Sequence, residues 1–237
     1  MEASALIVAA GQGRRMGAGR NKLLLPLAGE PVLSHTLRLF EGIPGVGEVV
    51  LVIAEQDEPA LEPILRQRGM KIPLRLVYGG SERMESVWRG LQAVACPYVL
   101  VHDGARPLTP RWLILDVLAK AVETEAAIPA IPVKETIKQV NDRGVIVHTP
   151  DRGQLWVAQT PQGFRTERLV QAYAQALRRR SCLYTDDASV VEQTGYPVAV
   201  IRGDEANIKL TVPQDMQLAE WILEQRRGAA DEDRNRL

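Results

Sequence analysis

The chain has 237 residues, and its 29 Lys plus Arg balance 29 Asp plus Glu, so its formal net charge is zero. That length suits one sizeable domain, or one domain with an appendage. Neutral balance excludes a general nucleic-acid or membrane-surface binder, because neither field attracts such a chain, and no apolar run approaches the ~18–20 residues of a membrane span.

The first element is the apolar run Ala5–Val8, which reads as a buried strand. Glu2 stands before it, where a signal peptide would carry positive charge. The run climbs into Ala9-Ala10-Gly11-Gln12-Gly13-Arg14-Arg15, and Lys22 follows. Gly11 and Gly13 remove side chains where the backbone turns, so main-chain N–H groups can approach a ligand. Arg14, Arg15 and Lys22 add positive charge at the same spot, and the combination suits a polyphosphate. The stretch 17–21, with Gly17 and Gly19, reads as a loop that closes over the anion. Two familiar motifs do not fit. G-x-G-x-x-G fails at Met16, and no Gly-Lys pair exists to make a P-loop.

Further strands are expected at Glu48–Ile53, Leu74–Tyr78, Tyr98–Val101, Ala127–Ile131 and Val198–Arg202. Several are apolar throughout, as strands buried on both faces of a parallel sheet are. Helices stand between them. Ser81 can cap one that carries Met84, Val87, Trp88, Leu91 and Val94 on one face. Thr109-Pro110 reads as an N-cap and first helical residue, and Thr185 as a cap for 186–190. This βαβα rhythm predicts an α/β fold with an open, mostly parallel sheet and helices on both faces. Ligands in such sheets bind beyond the carboxyl ends of the strands.

One segment departs from the rhythm. Lys134–Val140 and Val145–Thr149 flank the turn Asn141-Asp-Arg-Gly144, which is a hairpin signal. A lone hairpin is marginal in water. Residues 134–155 are therefore read as an arm that embraces a second copy of the chain; a hairpin folded back on its own domain is the alternative. The core is then 1–133 and 156–227, and 228–237 reads as a disordered tail. Cys96 and Cys182 lie far apart without metal-type spacing, as buried free thiols of a cytoplasmic protein would.

The groups that can carry chemistry follow strands. Asp103 and Arg106 flank Gly104-Ala105. Asp103 can accept from a sugar hydroxyl or help hold a metal-bound phosphate, Arg106 can clamp a phosphate, and an Asp–Arg pair that merely locks a loop is the bland reading. Gly79-Gly80-Ser81 exposes backbone at a helix start, where it can read the edge of a base, with Ser86 one turn further on. Arg83 is read as a salt-bridge partner. Arg152 and Thr160 are a cation and a hydroxyl suited to phosphate, Thr136 and Lys138 lie on the first strand of the arm, and Lys209 adds a lysine after a strand, although surface cations are usually just solvated. No zinc-type spacing, G-x-S-x-G elbow or nucleophile–base pair is present in the sequence. Phosphoryl or nucleotidyl transfer fits that inventory, because it relies on positioning and charge neutralisation.

Together these motifs resemble the 2-C-methyl-D-erythritol 4-phosphate cytidylyltransferases of the non-mevalonate isoprenoid pathway. The resemblance spans roughly residues 5–225. It rests on Ala9–Arg15 with Lys22, Gly79-Gly80 with Ser86, Asp103-Gly-Ala-Arg106-Pro107, Thr136 with Lys138, Thr149-Pro-Asp-Arg152, Gln159-Thr160-Pro161-Gln162, Thr185–Ser189 and Asn207-Ile-Lys209. Val8 stands where proline is frequent, Gly104 where alanine is common, and Ser81 where some members carry aspartate.

The resemblance implies a Rossmann-like core with a β-arm, a homodimer, and Mg²⁺-dependent transfer of CMP from CTP, the cation bound mainly through the CTP phosphates. It assigns the triphosphate to the Ala9, Ala10, Gly11 and Gly13 backbone, and charge at the α-phosphorus to Arg15 and Lys22. Gly80, Ser81 and Ser86 would read the cytosine, with Gly104 near the ribose. Asp103, Arg106, Thr160 and Lys209 would position methylerythritol phosphate, and Thr136 and Arg152 would reach it from the partner's arm. The rival readings are a ribitol-5-phosphate cytidylyltransferase, a guanylyltransferase that loads a pterin cofactor, and a nucleotide-binding sensor of the same fold.

Overall fold

A computed structural model describes residues 2–11, 21–179 and 184–234. In chain order the elements are β1 (Ala3–Val8), β2 (Pro26–Leu27), β3 (Glu30–Pro31), α1 (Val32–Phe40), β4 (Val46–Ile53), α2 (Glu58–Arg68), β5 (Leu74–Tyr78), α3 (Arg83–Leu91) and β6 (Tyr98–Asp103). There follow α4 (Arg111–Thr124), β7 (Ala126–Pro132), β8 (Gln139–Val140), β9 (Ile146–His148), β10 (Trp156–Ala158), β11 (Gln162–Arg165), α5 (Thr166–Arg179), α6 (Asp187–Glu192), β12 (Ala199–Arg202) and α7 (Pro213–Arg234).

β1 lies between β4 and β6 and runs parallel to both, with Leu6 opposite Val50 and Val101. β5 continues the parallel set beyond β4. On the other side β11 runs antiparallel to β6 and β7, β10 is antiparallel to β7, and β12 is parallel to β7. The chain thus builds β1, β4 and β5 outward in one direction and then returns to place β6 on the opposite edge of β1. That reversal opens a crevice at the carboxyl ends of β1 and β6.

The apolar strands are apolar because both faces are covered. Ala5 and Ile7 of β1 join Leu33, Leu37 and Phe40 of α1, Val117 of α4 and Ile222 of α7 in one layer. Leu6 joins Val87 of α3 and Leu169 and Tyr173 of α5 in the other. Each Leu, Ile, Val or Phe among them, fully buried, contributes roughly 1.5–3 kcal/mol. Among the described residues, no helix is long and apolar enough to cross a membrane.

Several boundaries differ from the sequence expectations. β6 runs two residues past Val101, because His102 and Asp103 continue the ladder against Ile7 and Val8. α3 starts one residue beyond Glu82 with no side-chain cap, and the Ser81 amide and hydroxyl both go to Glu85 Oε2, at 2.9 and 3.2 Å. Thr109 does not cap α4; its hydroxyl donates to Asn207 Oδ1 at 2.8 Å. The cap of α6 is Asp186, one residue after Thr185, in a reciprocal capping box with Ser189. Cys96 is free but only half-buried; Cys182 lies outside the described residues. The tail expected from Gly228 is helical as far as Arg234. Ala219 and Ile222 anchor the earlier turns of α7, and good helix formers such as Ala229 and Ala230 then extend a helix already nucleated.

The hairpin is present as β8 and β9, with Gly144 at φ +74° closing the Asn141–Val145 turn. Both strands lie fully exposed, including Val140, Ile146 and Val147.

Candidate active site

A cavity of about 710 Å³ opens at the crevice beyond β1 and β6. Of the expected residues, Ala9, Ala10, Gly11, Lys22, Gly80, Ser81, Ser86, Asp103, Gly104 and Lys209 line it. Gly13 and Arg15, and with them the closing loop, fall outside the described residues. Arg106, Thr136, Arg152 and Thr160 are not on the wall. Glu55, Gln56 and Thr211, which the sequence does not single out, are.

The floor is main chain. The Ala9 amide donates to Val52 O and the Gly104 amide to Val8 O, so β1 and β6 end in register. Asn21 fixes where Lys22 begins. Its amide nitrogen donates to Ala9 O at 3.1 Å and Asp57 Oδ2 at 2.7 Å, and its Oδ1 caps the Leu23 amide. Lys22 Nζ donates to Leu210 O at 2.6 Å, which joins the glycine end of the site to the returning segment 207–211. Gly104 accounts for its own departure from alanine: a Cβ there would stand 2.9 Å from Leu23 Cδ1 and 3.1 Å from Val8 O.

The Gly79–Ser86 loop on the cavity wall is held by its own side chains. The Ser86 hydroxyl accepts from the Gly80 amide at 3.1 Å and donates to Glu82 O at 3.0 Å. Glu85 takes the Ser81 amide, and Arg89 donates to both Glu85 and Gly79 O.

Asp103 is the electrostatic centre. Lys209 Nζ lies 2.7 Å from Oδ2 and Arg83 Nε 3.4 Å from Oδ1. Burial pushes this carboxyl up, but the Arg83 and Lys209 charges outweigh it and hold it well below the usual carboxylate range. It is therefore an ionised acceptor at neutral pH, not a proton donor. Arg83 is indeed a salt-bridge partner, forked onto the fully buried Asp187 at 3.1 and 2.6 Å.

Arg106 and Thr160 turn inward. Arg106 is buried and donates to Asn207 O at 2.6 Å, while its Nε finds no hydrogen-bond partner among the described residues. The Thr160 hydroxyl accepts from the Asp103 amide and bonds His102 Nδ1, both at 3.1 Å. His102 Nε2 bonds Arg106 O at 3.0 Å. Burial holds the His102 pKa down, to about 4, against an ordinary 6.5. Between those values the unfolded chain binds the extra proton, so stability falls as pH drops from 6.5 towards 4. His35, also buried and shifted downward, acts in the same direction. Lowering the pH from 7 to 5 is expected to cost about 2 kcal/mol through His102 alone. Urea midpoints at the two pH values check this, and a flat profile would contradict it.

Among the described residues, no group of three or more His, Cys, Asp or Glu side chains could hold a metal ion.

A model of the IspD family, 2-C-methyl-D-erythritol 4-phosphate cytidylyltransferase, matches residues 3–225. The chain belongs to this family. Relatives of that name from Bacillus licheniformis and Symbiobacterium thermophilum are 48% and 49% identical to it, each over 94% of this chain and over 96% and 93% of their own lengths. Among solved structures, the 4-diphosphocytidyl-2C-methyl-D-erythritol synthase of Anaerococcus prevotii superposes with a TM-score of 0.84 at 31% identity. The Thermus thermophilus cytidylyltransferase does so with a TM-score of 0.77 at 36% identity. Both cover 94% of this chain and 98% of theirs. The IspD signature residues of this chain thus divide into two sets. Ala9–Gly11, Lys22, Gly80, Asp103 and Lys209 face the cavity, whereas Arg106, Gln159, Thr160 and Asn207 are buried behind it.

Proposed function

We propose that the protein transfers CMP from CTP to 2-C-methyl-D-erythritol 4-phosphate. An oxygen of the acceptor phosphate attacks the α-phosphorus, the bond to the bridging oxygen breaks, and pyrophosphate leaves with the electron pair. The supporting observation is one cavity that gathers the Ala9–Gly11 backbone, Lys22, the Gly79–Ser86 loop and the Asp103–Lys209 pair.

In this reading the glycine backbone grips the triphosphate, and Lys22 with Arg15 meets charge that develops at phosphorus. Asp103, ionised and acceptor-only, receives acceptor hydroxyls, and Lys209 faces the acceptor phosphate. No side chain need act as base, since a phosphate monoester with its second pKa near 6 is largely ionised at pH 7. The wall carboxylates form no metal cage and Asp103 is held by two cations. A Mg²⁺ ion would therefore arrive on the CTP phosphates and lower their charge. The reaction is placed in the cytoplasm, in keeping with the free thiol of Cys96.

Pyrophosphate release from CTP, methylerythritol phosphate and Mg²⁺ tests the reading; no turnover would sink it. Faster turnover with ribitol 5-phosphate would reassign the acceptor, and CTP binding without turnover on either acceptor would favour the sensor.

The arm is proposed to complete a homodimer. Its Val140, Val145, Ile146 and Val147 are all exposed, which leaves apolar surface on both faces of the hairpin that needs a cover. At its stem Arg152 donates to Lys134 O at 3.0 Å, while Lys138 Nζ ties to Thr149 Oγ1 at 2.8 Å. Thr136 and Arg152 would then serve the partner's acceptor. Deleting 135–150 is expected to give monomers with little activity by size-exclusion chromatography and assay. An active monomer would refute shared sites.

A further inference from the structure

His102 is fully buried, sits beneath the acceptor side of the cavity, and takes no part in the transfer described above. Its ring edge is closed by Phe40 of α1, with centroids 5.2 Å apart at 69°. The charged groups that act on it are Asp103 and Arg106 from its own loop and Lys209 from the returning segment.

The bond directions around the ring form one consistent set. Nε2 faces a carbonyl, Arg106 O, and must donate. Nδ1 is then the acceptor, and its one partner is the Thr160 hydroxyl, which must give it a proton. That leaves the Thr160 oxygen lone pairs for the Asp103 amide. The chain Asp103 N–H to Thr160 to His102 to Arg106 C=O therefore closes only with this tautomer. It clamps both ends of the loop 103–106. A ring protonated at both nitrogens would turn an N–H toward Thr160 and strand the hydroxyl proton.

We infer that His102 is a positioning residue for the acceptor: acting through Thr160 and the Arg106 carbonyl, it sets the main chain that aims the Asp103 carboxylate. The nucleotide side does not depend on it in the same way. Gly104 is held separately, its amide on Val8 O and its carbonyl by the Thr36 hydroxyl at 2.7 Å. The inference also gives Thr160 a different task from direct contact with the acceptor. The burial that keeps the imidazole uncharged leaves one ring nitrogen free to accept.

The inference rests on the acceptor assignment above, and the test separates the two. Steady-state kinetics are compared for the unsubstituted protein, His102→Phe and His102→Asn. His102→Phe keeps an aromatic body but removes both ring nitrogens. It is expected to raise KM for methylerythritol phosphate roughly tenfold or more and leave KM for CTP within about twofold. His102→Asn, whose amide can still accept from Thr160, is expected to recover most of that loss. Should His102→Phe not fold, Thr160→Val, which keeps the shape but removes the hydroxyl, is expected to show the same split. Equal rises in both KM values, no rise at all, or no recovery with asparagine would overturn the inference. An unsubstituted protein inactive on both acceptors would overturn the functional reading and this inference with it.

Discussion

Lys22→Ala is expected to lower kcat by on the order of 10²–10³ and to weaken CTP binding far less, because in the proposed reading the charge that Lys22 meets grows only in the transition state. The structure qualifies how the experiment is read. Lys22 Nζ also donates to Leu210 O, and the Leu210 amide in turn donates to Ala105 O. A charged hydrogen bond of this kind contributes roughly 1.5–3 kcal/mol, so the variant loses stability as well. Single-turnover rates and CTP titrations are therefore taken where urea unfolding shows the variant fully folded. Parallel losses in rate and CTP affinity would remove Lys22 from the transition state and leave it as a tether. Arg15→Ala is expected to behave alike in rate.

Arg83→Leu is the substitution with the largest expected effect on folding. It strips the fork from Asp187, which is fully buried. The Tyr173 hydroxyl still donates to that carboxylate at 2.5 Å, and the Asp187 amide stays on Gln162 Oε1, but no cation remains at hydrogen-bond distance among the described residues. Breaking a buried pair in this way costs about 3–5 kcal/mol. Asp187→Asn added to Arg83→Leu removes the stranded charge and is expected to recover part of the loss. Urea midpoints read both. A loss below about 1 kcal/mol would mean that solvent reaches Asp187 and screens it. Activity should fall as well, since Arg83 also helps hold Asp103 ionised.

Much of this molecule is legible in the chain itself. Strands apolar on both faces announce a covered parallel sheet, and Ala5–Val8 running into Gly11 announces the open cavity at the first strand's end. Helix starts are less legible. Ser81, Thr109 and Thr185 all have the right chemistry to cap, yet each hydroxyl has a competitor or a better-placed neighbour. Ser81 goes to Glu85, Thr109 to Asn207, and Asp186 takes the cap one residue after Thr185. The far end of α7 depends likewise on helix propagation from packed turns rather than on the polarity of its last residues.

Sequence alone determined the architecture, the family, the hairpin, and which residue types surround the glycine end of the cavity, because these depend on periodicity and on motifs a few residues long. Only the tertiary structure decided which motif residues face the cavity. Arg106 is a cation like Lys209 and Lys22, Thr160 is a hydroxyl like Ser81 and Ser86, and nothing local tells the inward pair from the cavity-facing ones. Their direction is set by groups 101 and 58 residues away, the Asn207 carbonyl and the His102 ring. A guanidinium or hydroxyl that folding takes out of water must find partners there, and those partners were brought together by the sheet, not by their place in the chain.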